Sequence, residues 1–219
     1  MSLEAWKSRY TVRRFDTEYI PNREKIDYLK NCIEFIPSQL GVIDHIWCVL
    51  GPDHREQKKW LVDNIYFCDD KDMGHYEYFT ALMEAPYVFH SFRVIHPRNT
   101  RFGNQSMNQV TRNNAFHAGA IVTEALKQDL DVCQICCTDG TVVNPDIMWE
   151  YREKIWNAYG KLLKAARPEA SAAYIGEPMI SIGLGKGLPN TEQDYTPYKD
   201  GVSFTGQKFS KPMNNCVEI

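Results

Sequence analysis

The chain has 219 residues, 43% hydrophobic and 24% charged, which is enough to bury a sizeable core. Its formal net charge of -3 excludes a global attraction to nucleic acid or to an anionic membrane surface. No apolar stretch is long enough to cross a bilayer and no charged-then-apolar leader opens the chain, so we expect no membrane partner. The odd count of seven cysteines favours free thiols in a reducing cytoplasm over a disulfide framework.

Hydrophobic periodicity and turn residues predict the elements of the amino-terminal half. These are a short helix capped by Ser2, an extended segment at residues 10–15, a helix that begins at Pro21-Asn22 and is ended by Pro37 and Gly41, a strand His45–Leu50, and a helix entered through Gly51-Pro52-Asp53 that ends near Asn64. No repeat, low-complexity block or Pro/Gly/Ser linker divides the chain, so we expect one domain over residues 1–219.

The same patterns predict the elements of the carboxy-terminal half. These are a helix from Asp72 to about Glu84, a strand at 87–95, a loop at 97–109, a long helix beginning at Thr111, a strand at 132–137, a helix from Asn144-Pro145 to about Ala166, and a strand at 178–184. From about residue 186 the chain has no periodicity and reads as an extended arm. Because the helices come in runs, the order favours a layered α+β domain over a doubly wound one.

The long helix carries small residues that we interpret as one narrow face. Its members are Ala115, Ala118, Gly119 and Val122. Such a face lets another backbone approach closely, either a partner helix or a sheet.

The segment from Arg9 to Phe15 is the first candidate site. In an extended chain Arg9, Thr11 and Arg13 project to one side, while Val12 and Arg14 point away. Two guanidiniums flanking a hydroxyl make a good receptor for a phosphate or a polarised carbonyl. A solvated basic stretch is the alternative interpretation of the same residues.

Six segments in order resemble the nitroreductase family, and the resemblance covers nearly the whole chain. They are Arg9-Tyr10-Thr11-Val12-Arg13-Arg14-Phe15, Pro37-Ser38, Glu84-Ala85-Pro86 before a hydrophobic strand, the Ala/Gly-rich helix at 115–126, Thr138-Asp139-Gly140 after a strand, and Ile180-Ser181-Ile182-Gly183. The resemblance implies a three-layer α/β/α nitroreductase-like fold with a central mixed, mostly antiparallel sheet. It also implies a homodimer with FMN at the interface, in which the arm at about 186–219 packs on the partner subunit.

The resemblance further implies a role for each matching residue. Arg9 and Thr11, with Tyr10 between them, would hold the FMN phosphate and ribityl chain, and Arg13 would face the pyrimidine edge of the flavin. The turn of Thr138, Asp139 and Gly140 would bring a backbone N–H to the flavin N5. Pro37 and Ser38 would contact the flavin of the other subunit, and Lys208 and Lys211 are candidate phosphate partners.

These roles predict an FMN-dependent oxidoreductase that passes hydride from NAD(P)H to a small electron-poor acceptor, such as a nitroaromatic or a quinone, by a ping-pong mechanism. The flavin carries the chemistry, so we predict no catalytic side chain. Two alternatives stay open: other flavin chemistry on the same fold, such as reductive dehalogenation or flavin cleavage, and a non-catalytic flavin-binding dimer. The second is kept because residues 39–47 depart from the family pattern and retain only Trp47.

Other constellations predict simpler roles. Cys133, Cys136 and Cys137 lack a second ligand pair for zinc, so we predict no metal and treat them as small core residues. The glycines of residues 183–187 lack the spacing of a phosphate loop and are expected at a strand end. His90, His96 and His117 show no partner at triad or ligand spacing, so each is expected to be a core or surface histidine. The short basic cluster at 9–14 does not support a nucleic-acid partner.

Overall fold

The computed structural model describes residues 12–37, 44–64, 81–95, 107–136, 145–166, 168 and 170–189. The helices in these ranges are α1 Arg23–Phe35, α2 Arg55–Asn64, α3 Met107–Lys127 and α4 Pro145–Ala166. The strands are β1 His45–Leu50, β2 Tyr87–Val94, β3 Asp131–Cys136 and β4 Ile175–Gly185. Short 3-10 turns, Pro52–His54 and Ala172–Tyr174, lead into α2 and β4.

The four strands form one sheet in the order β1-β2-β4-β3, and every described pairing is antiparallel. The two central strands are therefore β2 and β4, with Ile182 opposite both Phe89 and Gln134. Among the described strands β1 and β3 lie at opposite edges of the sheet. The α+β class predicted from the sequence is confirmed.

Helices cover both faces of this sheet, because neighbouring side chains on each strand point to opposite sides. Phe92 and Cys133 pack in one layer with Tyr151 of α4, together with Leu61 of α2. Phe89 and Ile182 pack in the other layer, against α1 and α3. Burying a side chain of this size is worth about 1.5–3 kcal/mol. The predicted three-layer α/β/α arrangement is therefore present.

Helix α1 shows how closely local sequence determines its two ends. The Asn22 side chain accepts a hydrogen bond from the Glu24 amide at 3.0 Å, which caps the first turn. Ile26 and Leu29 are fully buried on one face. Ile36 leaves the helix with extended backbone angles, because a residue that precedes a proline is pushed out of the helical region.

Two predicted boundaries are wrong. Helix α3 begins at Met107, so the loop predicted for 97–109 ends earlier than expected. Strand β4 begins at Ile175, three residues before Pro178. Pro178 is accommodated inside the strand because it pairs with Phe92 at a register shift, where a missing backbone N–H interrupts no regular ladder.

The small residues of α3 share one side of the helix through their spacing, but only part of that side packs under the sheet. Ala118 and Val122 are buried in the layer under the sheet, whereas Ala115 and Gly119 are exposed. A Cβ built on Gly119 meets no atom within 4 Å. Nothing in the described part of this chain therefore requires a glycine at that position.

Several predicted elements lie outside the described residues. These are the helix capped by Ser2, most of the helix from Asp72, of which residues 81–84 are helical, and the arm beyond residue 189. The first residues of the arm pair with the amino-terminal segment: Asp16 N–H donates to the Lys186 carbonyl at 2.8 Å and Leu188 N–H to the Arg14 carbonyl at 3.0 Å.

Candidate functional site

Residues 12–16 lie beside β3 and the residues that follow β4, and backbone hydrogen bonds join them to both. The Val12 amide donates to the Val132 carbonyl of β3 at 3.1 Å, and Phe15 forms a bridge with Gly187 just after β4. Val12 and Phe15 are buried to within 1% of full burial and anchor the segment. An extended segment was predicted at 10–15; among its described residues Phe15 forms a bridge, whereas Arg13 and Arg14 form a bend.

The predicted alternation of side chains stops at Arg13. Val12 is buried but Arg14 is exposed and donates to Glu84 Oε1 at 2.8 Å, so the two do not share a side. The chain bends at Arg13 and Arg14. The bend lets the Arg14 guanidinium stay hydrated, because an ionised group is costly to bury.

Arg13 is half-buried at the β3 edge. Its Nη1 donates to Cys133 Sγ at 3.9 Å, a long contact to a weak acceptor. A guanidinium has five N–H donors in a rigid plane, so it can contact several groups at once.

Pro37, the other predicted site residue that the structure describes, is exposed immediately after α1. Burial lowers the pKa of His117 in α3, and the backbone carbonyl of Pro37 raises it. The remaining predicted cofactor residues lie outside the described residues. They are Arg9, Tyr10, Thr11, Ser38, Thr138, Asp139, Gly140, Lys208 and Lys211.

A buried polar network lies between the start of β1 and α3, and the sequence reasoning missed it. Asp44 Oδ1 and His45 Nδ1 are 2.5 Å apart, and His45 Nε2 and His117 Nδ1 are 3.0 Å apart. Asn113 Nδ2 donates to the other oxygen of Asp44 at 2.5 Å. These residues are at most 7% exposed. The expectation that His117 has no partner is therefore wrong.

Two sequence signals could have found this network. Asp44 and His45 are adjacent polar residues at the start of an apolar strand, and Asn113 and His117 are four apart on one helix, which places them on one face. Only the packing of α3 over β1 joins the two pairs.

The environment of His117 disfavours its charged form. Burial lowers its pKa below the ordinary value of 6.5, and the neighbouring His45 lowers it further, while the Pro37 carbonyl and Asp44 act in the opposite direction. His117 Nε2 is buried and has no hydrogen-bond partner of good geometry among the described residues. This nitrogen is the open end of the network.

Comparisons with known proteins point to one fold. No protein-family model and no curated protein matches the sequence. The chain is similar to the nitroreductase family protein from Clostridium novyi NT, with 14% identity, 92% of each chain covered and a TM-score of 0.59. It is also similar to the nitroreductase family protein from Streptococcus pneumoniae TIGR4, with 15% identity, 90% of this chain and 96% of that one covered, and a TM-score of 0.55. A third match is the FMN-dependent nitroreductase from Clostridium difficile R20291, with 16% identity, 86% of this chain and 88% of that one covered, and a TM-score of 0.54.

The chain has the nitroreductase fold. At these identities the likeness shows the fold and not the activity.

Within this nitroreductase fold, the two described site residues lie far apart. Arg13 contacts Cys133 of β3. Pro37 instead follows α1, which packs with α3, and His117 of α3 lies 3.0 Å from His45 of β1. Because β1 and β3 are the two edges of a four-stranded sheet, three strand spacings, or about 14 Å, separate them. Their layers differ too, since Cys133 packs on the α4 side and α3 covers the opposite face.

His90 is a core histidine, which is one of the two roles predicted for it from the sequence. It lies in β2 with Nδ1 2.9 Å from Ser181 Oγ and Nε2 2.8 Å from the Tyr151 hydroxyl. Burial lowers the pKa of His90 to about 3, so the ring is neutral around pH 7. A serine and a histidine in contact resemble part of a hydrolase site, but both side chains are fully buried here in the centre of the sheet.

Of the three cysteines predicted to be small core residues, the structure describes the side chain of Cys133 alone. Cys32, Cys48 and Cys133 are free thiols, and Cys133 is fully buried in the core. Gly183 and Gly185 lie in β4, and Gly187 forms the bridge to Phe15 just beyond it. No group of three His, Cys, Asp or Glu residues able to hold a metal ion occurs among the residues that the structure describes. In the same ranges no helix has the length and apolarity needed to cross a membrane.

Proposed function

We propose that this chain is an FMN-dependent oxidoreductase that works as a homodimer and passes hydride from NAD(P)H to a small electron-poor acceptor. One of its fold neighbours is described as an FMN-dependent nitroreductase. The observation that carries the proposal is the separation of Arg13 and Pro37 on opposite edges and faces of the sheet. A single flavin ring that meets both residues must therefore take them from different copies of the chain.

Arg13 suits the pyrimidine edge of a flavin. That edge presents carbonyl oxygens and ring nitrogens in a plane, which matches the planar fork of N–H donors of a guanidinium. Reduction of the flavin places negative charge near this edge, and a fixed cation stabilises that charge. The anchoring of its neighbours Val12 and Phe15 in the core fixes the backbone from which Arg13 reaches.

When bound, FMN would supply the redox chemistry, taking hydride from a nicotinamide and giving it to the acceptor in a separate step. The chain would bind the cofactor and orient it. Arg9, Tyr10 and Thr11 would hold the phosphate and ribityl end, and the backbone of Thr138, Asp139 and Gly140 would approach N5. Ser38 would join Pro37 from the partner copy, and Lys208 and Lys211 would assist at the phosphate.

The exposed side of α3 and the end of α1 suit a second copy of this chain. Phe35 of α1 is 85% exposed and Phe116 of α3 is 58% exposed. Large apolar side chains that are this exposed often mark a surface that binds another protein. Ala115 and Gly119 lie beside Phe116 on the exposed side of α3 and let another helix backbone come close. We assign this surface to the dimer interface.

The choice of acceptor class, a nitroaromatic or a quinone, and the ping-pong order follow from the family resemblance. A cytoplasmic setting is supported by the three described cysteines, which are all free thiols.

The decisive experiment is the absorption spectrum of the full chain as purified, followed by release of the chromophore on denaturation. Bound FMN in a dimer supports the proposal, and a colourless protein that takes up no added FMN overturns it. Oxidation of NADH or NADPH with a quinone or nitroaromatic acceptor then tests the activity. Bound FMN with no such turnover would instead support a non-catalytic flavin-binding dimer or the other flavin chemistries, reductive dehalogenation and flavin cleavage.

A further inference from the structure

The backbone around Arg13 is held at two points, and one of them is a side chain from a distant part of the chain. The Val12 amide donates to the Val132 carbonyl of β3 at 3.1 Å. The Phe15 amide donates to Glu84 Oε2 at 2.9 Å. The first contact joins two backbones and does not depend on which side chains are present. The second depends on one carboxylate, so its loss would free the backbone two residues after Arg13.

Glu84 accepts two hydrogen bonds, and they differ in what they do. Its Oε1 accepts from Arg14 Nε at 2.8 Å, and its Oε2 accepts from the Phe15 amide. The Arg14 side chain is 44% exposed, so water screens this ion pair and the contact contributes little. Phe15 is buried in the core, where a backbone N–H without an acceptor is costly. The bond to Phe15 is therefore the one that fixes the backbone.

Lys58 of α2 holds the backbone that carries Glu84. Its ammonium donates to the Ala85 carbonyl at 2.8 Å and to the Pro86 carbonyl at 2.9 Å, and these two residues directly follow Glu84. Lys58 is 4% exposed, and burial lowers its pKa to about 8, so the charged form predominates at pH 7. Because a buried charge is costly unless it is hydrogen-bonded, these two bonds tie the segment 84–86 to α2.

Two glycines of β4 let Phe15 and the segment 84–86 pack closely on the same strand. A Cβ on Gly185 would lie 2.7 Å from Pro86 Cδ and 3.0 Å from Phe15 Cδ1. A Cβ on Gly183 would lie 3.0 Å from Ala85 Cβ. Protein interiors are close-packed, so a larger residue at either position would push these groups away from the strand. The contact between Phe15 and the segment 84–86 is therefore closely defined by packing as well as by hydrogen bonds.

We propose that Lys58 and Glu84 are positioning residues for Arg13. Lys58 holds the segment 84–86, and Glu84 holds the Phe15 amide, which fixes the backbone from which Arg13 reaches the flavin. The inference rests on the proposed function, because it is there that we assign Arg13 to the pyrimidine edge of FMN. Neither Lys58 nor Glu84 touches a reacting atom. Without them the Arg13 guanidinium is still present but is less well placed for the charge that develops on reduction.

The experiment compares stopped-flow reduction of bound FMN at saturating NADH or NADPH with the FMN dissociation constant. Glu84→Leu removes the acceptor for the Phe15 amide and should slow reduction about fivefold or more while weakening FMN binding less. Glu84→Gln keeps a side-chain oxygen at the same reach and should stay within about twofold of the wild-type rate. Glu84→Ala takes the place of Glu84→Leu if a leucine at this position prevents folding.

Two further variants separate the contacts. Arg14→Ala is the matched control, because it removes the same ion pair but leaves the Glu84 bond to Phe15 in place, and its reduction rate should be close to wild type. Lys58→Met keeps the length of the side chain without a donor. It should slow reduction in the same direction as Glu84→Leu. Circular dichroism measures whether each variant is folded.

An independent measurement needs no cofactor. Hydrogen exchange of the Phe15 amide in the FMN-free chain reports the bond to Glu84 directly. The amide should be protected in the wild type, in Arg14→Ala and in Glu84→Gln. It should exchange about tenfold faster or more in Glu84→Leu, because the N–H has lost its acceptor.

The outcomes separate the two hypotheses. A wild-type chain that binds no FMN overturns the proposed function, and this inference with it. Where the wild type binds FMN, the inference alone is overturned if folded Glu84→Leu or folded Lys58→Met reduces FMN at the wild-type rate. It is also overturned if Arg14→Ala or Glu84→Gln slows reduction as much as Glu84→Leu, because the charge of Glu84 and not its bond to Phe15 would then be the cause. An unprotected Phe15 amide in the wild type overturns it without any variant.

Discussion

The Tyr151 hydroxyl lies 2.8 Å from Nε2 of His90, on the ring whose other nitrogen meets the Ser181 hydroxyl. This contact joins α4 to the centre of the sheet through a ring that is fully buried. Burial lowers the pKa of His90 to about 3, against about 6.5 for an exposed histidine. The ring is therefore neutral in the folded protein at pH values where the unfolded chain already binds a proton.

The first prediction follows from the sign of that difference. Stability from His90 is fully present above about pH 6.5 and is lost as the pH falls towards about 3, at roughly 1.4 kcal/mol per pH unit. Urea unfolding between about pH 6.5 and 4.5 should show this slope in the wild type. His90→Asn should be less stable overall but show a shallower slope. Equal slopes in the two proteins would contradict the burial of a neutral ring.

The second prediction concerns Arg13 in the cofactor site. Arg13→Ala should slow flavin reduction by NAD(P)H roughly tenfold or more while weakening FMN binding less, because its cation acts on charge that develops during reduction. Stopped-flow reduction and FMN titration measure the two effects separately. Arg9→Ala should show the reverse, since we assign Arg9 to the phosphate.

Arg14→Ala is the matched control for this prediction. Arg14 is the next residue, but its side chain is 44% exposed and pairs with Glu84, an ion pair worth about 0–1 kcal/mol. It should leave both reduction and FMN binding close to wild type. If Arg13→Ala and Arg9→Ala both retain FMN and turn over normally, the assigned roles are wrong.

The third prediction tests the exposed side of α3. Gly119→Gln should weaken dimerisation without unfolding the chain, because a Cβ at this position meets no atom within 4 Å. Light scattering during gel filtration measures the oligomeric state, and circular dichroism measures the fold. Ala158→Gln places the same side chain on the exposed side of α4 and should leave the dimer intact. A Gly119→Gln protein with unchanged dimer affinity would place the interface elsewhere.

The fourth prediction uses the separation of Arg13 and Pro37. Each site should take Arg13 from one copy and Pro37 from the other, so Arg13→Ala and Pro37→Glu chains should complement one another. Heterodimers purified through two different tags should have about half of their flavin sites active, because one of two symmetric sites is free of both changes. Each variant alone should be nearly inactive. Heterodimers no more active than the parents would show that one copy supplies both residues.

The sequence by itself determined the local elements and much of the layer arrangement. Helix α1 lies between Asn22 and Pro37, and the apolar run at His45–Leu50 forms β1 with the predicted bounds. These features depend on neighbours along the chain, where capping, proline geometry and periodicity act directly.

Only the tertiary structure decided which distant residues meet. His45 and His117 are 72 positions apart, and the periodicity of the sequence does not predict their contact, because it depends on the packing of α3 over β1. The strand order likewise places Arg13 and Pro37 at opposite edges of the sheet, although both lie within one short stretch of sequence. Side-chain pairs of this kind arise from the packing of whole elements against each other, which the residues next to each partner do not encode.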